Sequence, residues 1–466
     1  MNDPIKQLLD RYHSFIDNAK AFEHFMVKPT PTCLTVNPLK TTSNAVAEFL
    51  QKQNLSFQPV SWYPNSFRIE QWEKPGLTLP FVTGWYNLQE EISLSAVQTL
   101  DPQPQENILD LCAAPGGKTV QIAMRLKGTG SVIANEIQFS RLSSLRAMLD
   151  RMGLSNVLTT NYDGCTIPLR YHSFDRILVD APCSAEGVMR KAKSTLKPKN
   201  FSYSLKIAKK QRKLLDHALD LVKPGGIIVY STCTFAPEEN EAVIDAVLNN
   251  RGELESAKIS NLKGMPGLRH WEGKQFRQDL GHAQRYLPHF NNTGGFFVAR
   301  IRRSHADLKQ RTSSQENTQA TLLQPLPNNS PLNWFTNYFG IDAKVLSAYQ
   351  LWIKGKDKIW LGEKQCQPPS QILIQTLGMP LIRTTYKPTT AALQRFGSEI
   401  TCNVIELEDW EKLQCFLQGK SQPLTNSTSA SGYVHVRYGQ YELGCGLYKN
   451  GMLHSQLPKF LRLSLN

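Results

Sequence analysis

Two short stretches each follow an apolar run with a thiol: DAPCS at Asp180–Ser184 carries Cys183, and STCT at Ser231–Thr234 carries Cys233. A thiolate is useful where a ring carbon must be made nucleophilic. Added to C6 of cytosine, it turns the inert C5 into the end of an enamine able to attack a methyl donor. Asp180 can hold the N3/N4 edge of such a ring and aid its protonation. After transfer the C5 proton must leave and the thiol be expelled, and a second thiol can assist. An ordinary cysteine, with a pKa near ~8.5, is mostly protonated at neutral pH. Lys118 and helix N-termini around the crevice are candidates to lower it. Either cysteine alone is better explained by small-residue packing; the pair, each at a strand end, is not.

A second constellation suits a cofactor. In DLCAAPGGKT (Asp110–Thr119), the run Cys112, Ala113, Ala114, Pro115, Gly116, Gly117 and Lys118 reads as a tight strand-to-helix turn. Its glycines allow close backbone approach, and the following helix offers free N–H groups. A P-loop would need glycine at position 112, and the dinucleotide fingerprint GxGxxG is absent. Glu136 ends the next strand, where a carboxylate can take both ribose hydroxyls. Asp163, in NYDG, can accept an adenine amino hydrogen, although alone it reads as a turn aspartate. Together they fit an adenosine-bearing cofactor without phosphates, with S-adenosylmethionine (SAM) the obvious candidate.

The elements that must position these residues alternate. NILDL, SVIAN, NVLTT, DRILVD and GIIVYS read as strands, with helices predicted at Lys118–Leu126, Ser140–Met152 and Leu205–Val222. A further helix is expected to open at Pro237, and GGFFVARI to close a mostly parallel α/β sheet. Ligands of such sheets sit beyond the carboxyl ends of the strands, where both constellations fall. Residues 1–92 mix helical and short β-like stretches, predicting an α+β domain. Residues 93–302 form the central α/β domain, 303–331 a polar linker, and 332–466 a β-rich region.

Composition narrows the class. The 466 residues carry a net charge of +14, which favours a polyanionic partner. No apolar run approaches membrane-spanning length, and the N-terminus lacks a signal-peptide pattern, so a cytoplasmic location is expected. The nine cysteines include no CxxC pair, arguing against a zinc or disulfide framework. His282 and His289 have no partner at metal-ligand spacing, so no metal is expected.

LDLCAAPGGKT, VDAPCSAEGVMRK, YSTCTFAPEENE and GGFFVAR together resemble, in order and spacing, the RNA cytosine-5 methyltransferases of the Nol1/Nop2/Sun type. The resemblance covers roughly Tyr86 to Arg302. It implies a Rossmann-like SAM-dependent methyltransferase domain, with SAM held by Cys112–Lys118, Glu136, Asp163 and Asp180. It also implies that Cys233 is the nucleophile and that Cys183 assists product release. GYVHVRYGQYELGCGLYKNGMLH and the residues after it are similar to a PUA-like RNA-binding module found in members that act on 16S rRNA of the small ribosomal subunit. A monomer acting on 16S rRNA is therefore expected, with tRNA as the alternative substrate and a non-catalytic RNA-binding assembly factor as the alternative class. One departure is LTVNPLK: Thr35 stands where the family has Arg in an N-terminal RNA-contacting stretch, while Asn37 and Lys40 match.

Arg190–Lys213 holds ten Lys or Arg and no acid, directly after Cys183, and reads as a phosphate-binding segment. The target base must leave its stack to reach Cys233. Arg285, His289 and Phe296 are candidates to line its pocket, and each is equally a candidate for a structural role.

Overall fold

The computed structural model describes residues 3–190, 199–305, 323–355, 357–424 and 431–463. Helices α1 (Pro4–Tyr12) and α2 (Ala19–Val27) precede a four-stranded sheet of order β2-β3-β1-β4. Its strands are β1 (Thr32–Val36), β2 (Phe57–Pro59), β3 (Ser66–Ile69) and β4 (Tyr86–Gln89), with α3 (Ser43–Lys52) and α4 (Leu79–Val82) between them. The expected α+β texture is present, but α1 and α2 pack elsewhere. Leu8, Tyr12, Phe22 and Met26 join the core of the central sheet, not that of the small one.

The central α/β unit runs α5 (Leu94–Leu100), β5 (Asn107–Asp110), α6 (Gly117–Arg125), β6 (Ser131–Asn135), α7 (Phe139–Met152), β7 (Val157–Thr160) and β8 (Phe174–Asp180). It continues with α8 (Phe201–Leu221), β9 (Val222–Thr232) and α9 (Glu241–Leu248). Strands β9-β8-β5-β6-β7 are parallel neighbours in that order. The chain therefore reverses its direction of winding between β5 and β8, where a ligand crevice belongs. Leu109, Ile133, Leu178 and Val229 are fully or almost fully buried, as expected of strands covered on both faces. Helices α5 to α7 cover one face, and α8, α9 and the N-terminal pair the other.

The edges depart from the sequence expectation. Beyond β9 come β10 (Gly252–Glu255), β11 (Met265–Pro266), β14 (Gln284–Tyr286) and β15 (Phe296–Arg303), all in antiparallel pairings. The hairpin of β12 (His270–Trp271) and β13 (Lys274–Gln275) lies outside the sheet, and α10 (Pro288–Asn291) links β14 to β15. Pro237 opens a turn, not a helix; α9 begins at Glu241, after the Asn240 side chain has bonded Thr234 O. Of the expected linker, 306–322 lies outside the described residues. Arg303 ends β15, and β16 (Leu323–Pro325) pairs with β17 (Tyr349–Lys354).

C-terminally, α11 (Ser330–Phe339), α12 (Ala343–Leu346), β17, β18 (Lys358–Glu363), β19 (Ile374–Leu377) and β20 (Met379–Arg383) follow. Strand β19 does not stay with its neighbours: it adds antiparallel to β7 and extends the central sheet. Thr159 and Thr376 share a buried 2.6 Å hydroxyl contact there, and Ser155 Oγ donates to Glu363. A five-stranded sheet spanning Val404–Ser455 completes the chain.

The LTVNPLK stretch is structural. Asn37 Nδ2 donates to Gly84 O and Met152 O, and Lys40 Nζ donates to Thr83 O and Arg151 O. These groups satisfy the last carbonyls of α7, which have no partner within the helix. Thr35 is buried in β1. Asn37 and Lys40 thus fasten the N-terminal sheet to the central unit and do not present themselves to RNA.

Candidate active site

A cleft of about 300 Å³ opens at the carboxyl ends of β5 and β8. Its walls include Cys112, Ala113, Ala114, Pro115, Gly117 and Lys118, together with Asp180, Cys233 and Phe296. The loop fits the sequence reading: Gly116 has φ +117, a region that L side chains rarely adopt. A Cβ on Gly117 would stand 2.7 Å from Gln89 Oε1, so the backbone approaches the cleft wall closely.

At the crevice Lys118 Nζ meets Asp180 Oδ2 at 2.7 Å, and Ser231 Oγ donates to Asp180 Oδ1 at 2.8 Å. Burial would lower the Lys118 ammonium, but Asp180 outweighs it and the pKa is raised. The cation is held there in electrostatic reach of Cys233 and 5.4 Å from the Phe296 ring centre. Cys183 Sγ lies 3.3 Å from Cys233 Sγ. That hydrogen bond, then burial, pushes the Cys183 thiol well up.

The residues beside the thiols are stitched together. Ser184 Oγ and Thr234 Oγ1 are 2.6 Å apart, and Thr234 donates to the buried Glu186 at 3.0 Å. Glu186 also accepts from Phe235 N and from Tyr12 of α1, while Gly187 N donates to Cys233 O. Glu239 accepts from Ser184 N and Gln211. Thr234→Val keeps the volume but removes the hydroxyl hub that fixes one thiol loop against the other. The expected outcome is a fall in kcat of roughly 10²-fold, the scale of a 1 Å misplacement, with cofactor affinity unchanged. Single-turnover methyl transfer beside cofactor titration checks it, and an unchanged kcat would refute the positioning role.

The remaining expected residues are distributed. Glu136 is buried at the end of β6, where it accepts from Gln138 N at 2.8 Å and faces Arg141 at 3.5 Å; it does not line the cleft. Asp163 lines the neighbouring groove, and its bond from Cys165 N holds its carboxyl below the usual range. Phe296 lines the cleft, but Arg285 does not. Arg285 is buried in an ion pair with Glu241, so of the pocket and structural roles open to it the structural one holds: β14 points it into the core. His289 is likewise turned to Asp17 at 2.6 Å. Gln89, Glu90 and Ser93 line the cleft without having been singled out; their signal was the GWYNLQEEISL stretch just before the cofactor loop.

The residues fit SAM. Asp110 Oδ1 is a buried carboxylate oxygen without a partner among the described residues, at the wall of the cleft. Burial pushes the Asp110 pKa up to about 7, and a sulfonium or ammonium group beside it would favour its ionised form.

The glycine loop, the strand-end acids and the sheet order define a methyltransferase of Rossmann-like fold. A family model described as 16S rRNA methyltransferase RsmB/F matches residues 97–302. Models of the RsmF N-terminal domain and PUA domain match 5–91 and 402–463, and a family of unknown function matches 315–378. The chain is 33% identical to a tRNA (cytosine(49)-C(5))-methyltransferase of Pyrococcus abyssi over 64% of its own length and 96% of the relative's. It is 29% identical to ribosomal RNA small subunit methyltransferase F of Shewanella loihica, over 94% and 91%. The 25S rRNA (cytosine-C(5))-methyltransferase nop2 of Schizosaccharomyces pombe is 34% identical over 64% of this chain, which spans 50% of that relative. This chain spans still less, 38% and 36%, of the human and mouse 28S rRNA relatives. A solved methyltransferase homologue from Pyrococcus horikoshii superposes with a TM-score of 0.56 at 34% identity, over 64% of this chain and 94% of that one. The chain belongs to the family of RNA cytosine-5 methyltransferases.

Proposed function

We propose that the protein methylates C5 of a cytosine in 16S rRNA of the small ribosomal subunit, using SAM and a covalent Cys233–C6 adduct. The observation that carries this is Cys233 in the wall of a cleft shared with the cofactor loop, with Cys183 Sγ 3.3 Å from its sulfur. Cys112 to Lys118 and Asp180 at the cleft are the residues to hold SAM, with Glu136 and Asp163 reaching it from beyond the cleft wall; SAM when bound supplies an electrophilic methyl group for C5.

Every other task falls to the chain. Cys233, the thiol of the pair that lines the cleft, is the nucleophile; it shares a hydrogen bond with Cys183 and stands in electrostatic reach of the Lys118 ammonium. Cys233 adds to C6 while Asp180, fixed by Lys118 and Ser231, receives the N3/N4 edge. After methylation the C5 proton is lost and the C6–S bond breaks. Cys183, in contact with the leaving sulfur, assists that departure.

Small-subunit rRNA is preferred over tRNA because the small-subunit relative aligns along 94% of the chain, C-terminal region included, against 64% for the tRNA enzyme. A non-catalytic assembly factor would need neither thiol. Among the described residues no helix is long and apolar enough to cross a membrane. A monomer acting on the subunit or its RNA is the expected form. The test is incubation with SAM and either 16S rRNA or tRNA, followed by mass spectrometry of nucleosides. New 5-methylcytosine in 16S rRNA supports the reading, its appearance only in tRNA moves the substrate, and its absence from both refutes the activity.

A further inference from the structure

A second and larger cavity, about 1170 Å³, opens between α8 and the loop after β7. Lys206, Lys209, Lys210 and Lys213 line it from α8 at a spacing that places them on one helical face, and Arg170 lines it from the loop. Like charges three and four residues apart weaken a helix, so this row does not serve helix stability. Nor is it neutralised locally. None of the four lysines has an ion-pair partner among the described residues, while the nearby Asp216 and Asp220 are taken by Arg251 at 2.5 and 2.6 Å. Asp163, the remaining acid at the groove, accepts from Cys165 N and feels Lys210 and Lys213.

The groove abuts the catalytic cleft. Gln211, on another face of α8, donates to Pro182 O beside Cys183, and the Lys210 charge reaches Cys112. At the start of α8, Phe201 and Tyr203 are 49% and 39% exposed, each with a cation over its ring: Arg11 and Lys199. Exposed aromatic faces beside a basic track suit unpaired bases on a polyanionic backbone.

We infer that this groove holds the phosphate backbone of the single-stranded RNA segment carrying the target base, with Phe201 and Tyr203 as stacking surfaces. The inference rests on the RNA reading above and adds where the strand runs. It is tested with K206Q/K209Q/K213Q, which spares Lys210, and with F201A/Y203A. The probe is a 16S rRNA transcript, titrated over a range of NaCl concentrations.

Three lost phosphate contacts should weaken binding by roughly tenfold or more near 0.1 M salt and flatten the salt slope by about 2. KM for RNA should rise while kcat at saturating RNA and SAM affinity hold, and the triple Lys→Arg variant should behave as wild type. F201A/Y203A should lower affinity without changing the slope. Unchanged RNA affinity and slope in the lysine variant, with an active wild type, would overturn the inference alone. So would retained affinity for free RNA with lost binding to the assembled subunit, which would place an acidic protein surface in the groove. A wild type that neither binds nor methylates the transcript would overturn the RNA reading itself.

Discussion

Cys233→Ala should abolish methyl transfer, with kcat falling on the order of 10⁴-fold or more, while SAM and RNA binding persist. The size follows from the chemistry. Without sulfur at C6 the cytosine C5 has no enamine to attack with, and the neighbouring thiol of Cys183, 3.3 Å away, is not among the groups that line the cleft. Binding should survive because Cys233 is one of many residues lining the cleft, among them most of the loop from Cys112 to Lys118, Gln89, Asp180 and Phe296. Rapid-quench transfer of labelled methyl groups, alongside equilibrium binding of both substrates, reads the two effects separately. Retention of more than about a hundredth of wild-type kcat would remove Cys233 from the nucleophile's role.

The second large effect is on stability. Arg285→Met should destabilise the fold by about 3–5 kcal/mol, because it strands the Glu241 carboxylate in the core. Arg285 is 2% exposed and Glu241 0%. Arg285 Nε meets Glu241 Oε1 at 2.6 Å, Nη1 donates to Phe235 O, and the guanidinium lies 4.8 Å from the Phe15 ring centre. This pair ties β14 to α9 and to the segment just after Cys233. Replacing both partners, as R285M/E241L, should recover most of the loss, since an apolar pair leaves no buried charge. Chemical denaturation of the two variants decides. A loss under about 1 kcal/mol for Arg285→Met, or no recovery in the double variant, would contradict the account.

The parallel core was legible because its signals are local. Runs such as NILDL and SVIAN have consecutive apolar residues at their centres, as doubly covered strands need, and the Gly116–Gly117 turn marks the cofactor loop. The thiols were legible as a pair once both were placed at strand ends. What escaped depends on contacts between residues distant in sequence. Ile374–Leu377 reads as one more short β-prone run, and nothing in it announces β7 as partner. Tyr12 and Glu186 are 174 residues apart, so the bracing of the thiol loops by α1 has no sequence period to betray it. Asn37 and Lys40 match the family's N-terminal stretch, but nothing local tells that their amide and ammonium end on the carbonyls of α7 and a neighbouring turn. Whether Arg285 is a pocket cation or a structural one is not legible locally, because its carboxylate partner lies 44 positions earlier.

The central claim is the division of labour between the two sulfurs. Its most direct test is Cys183→Ala incubated with SAM and 16S rRNA, denatured, and resolved on a gel. The account predicts a protein–RNA adduct that survives denaturation, maps to Cys233 and disappears in C183A/C233A. A Cys183→Ala enzyme that turns over at the wild-type rate without adduct, or an adduct that persists when Cys233 is removed, would contradict it.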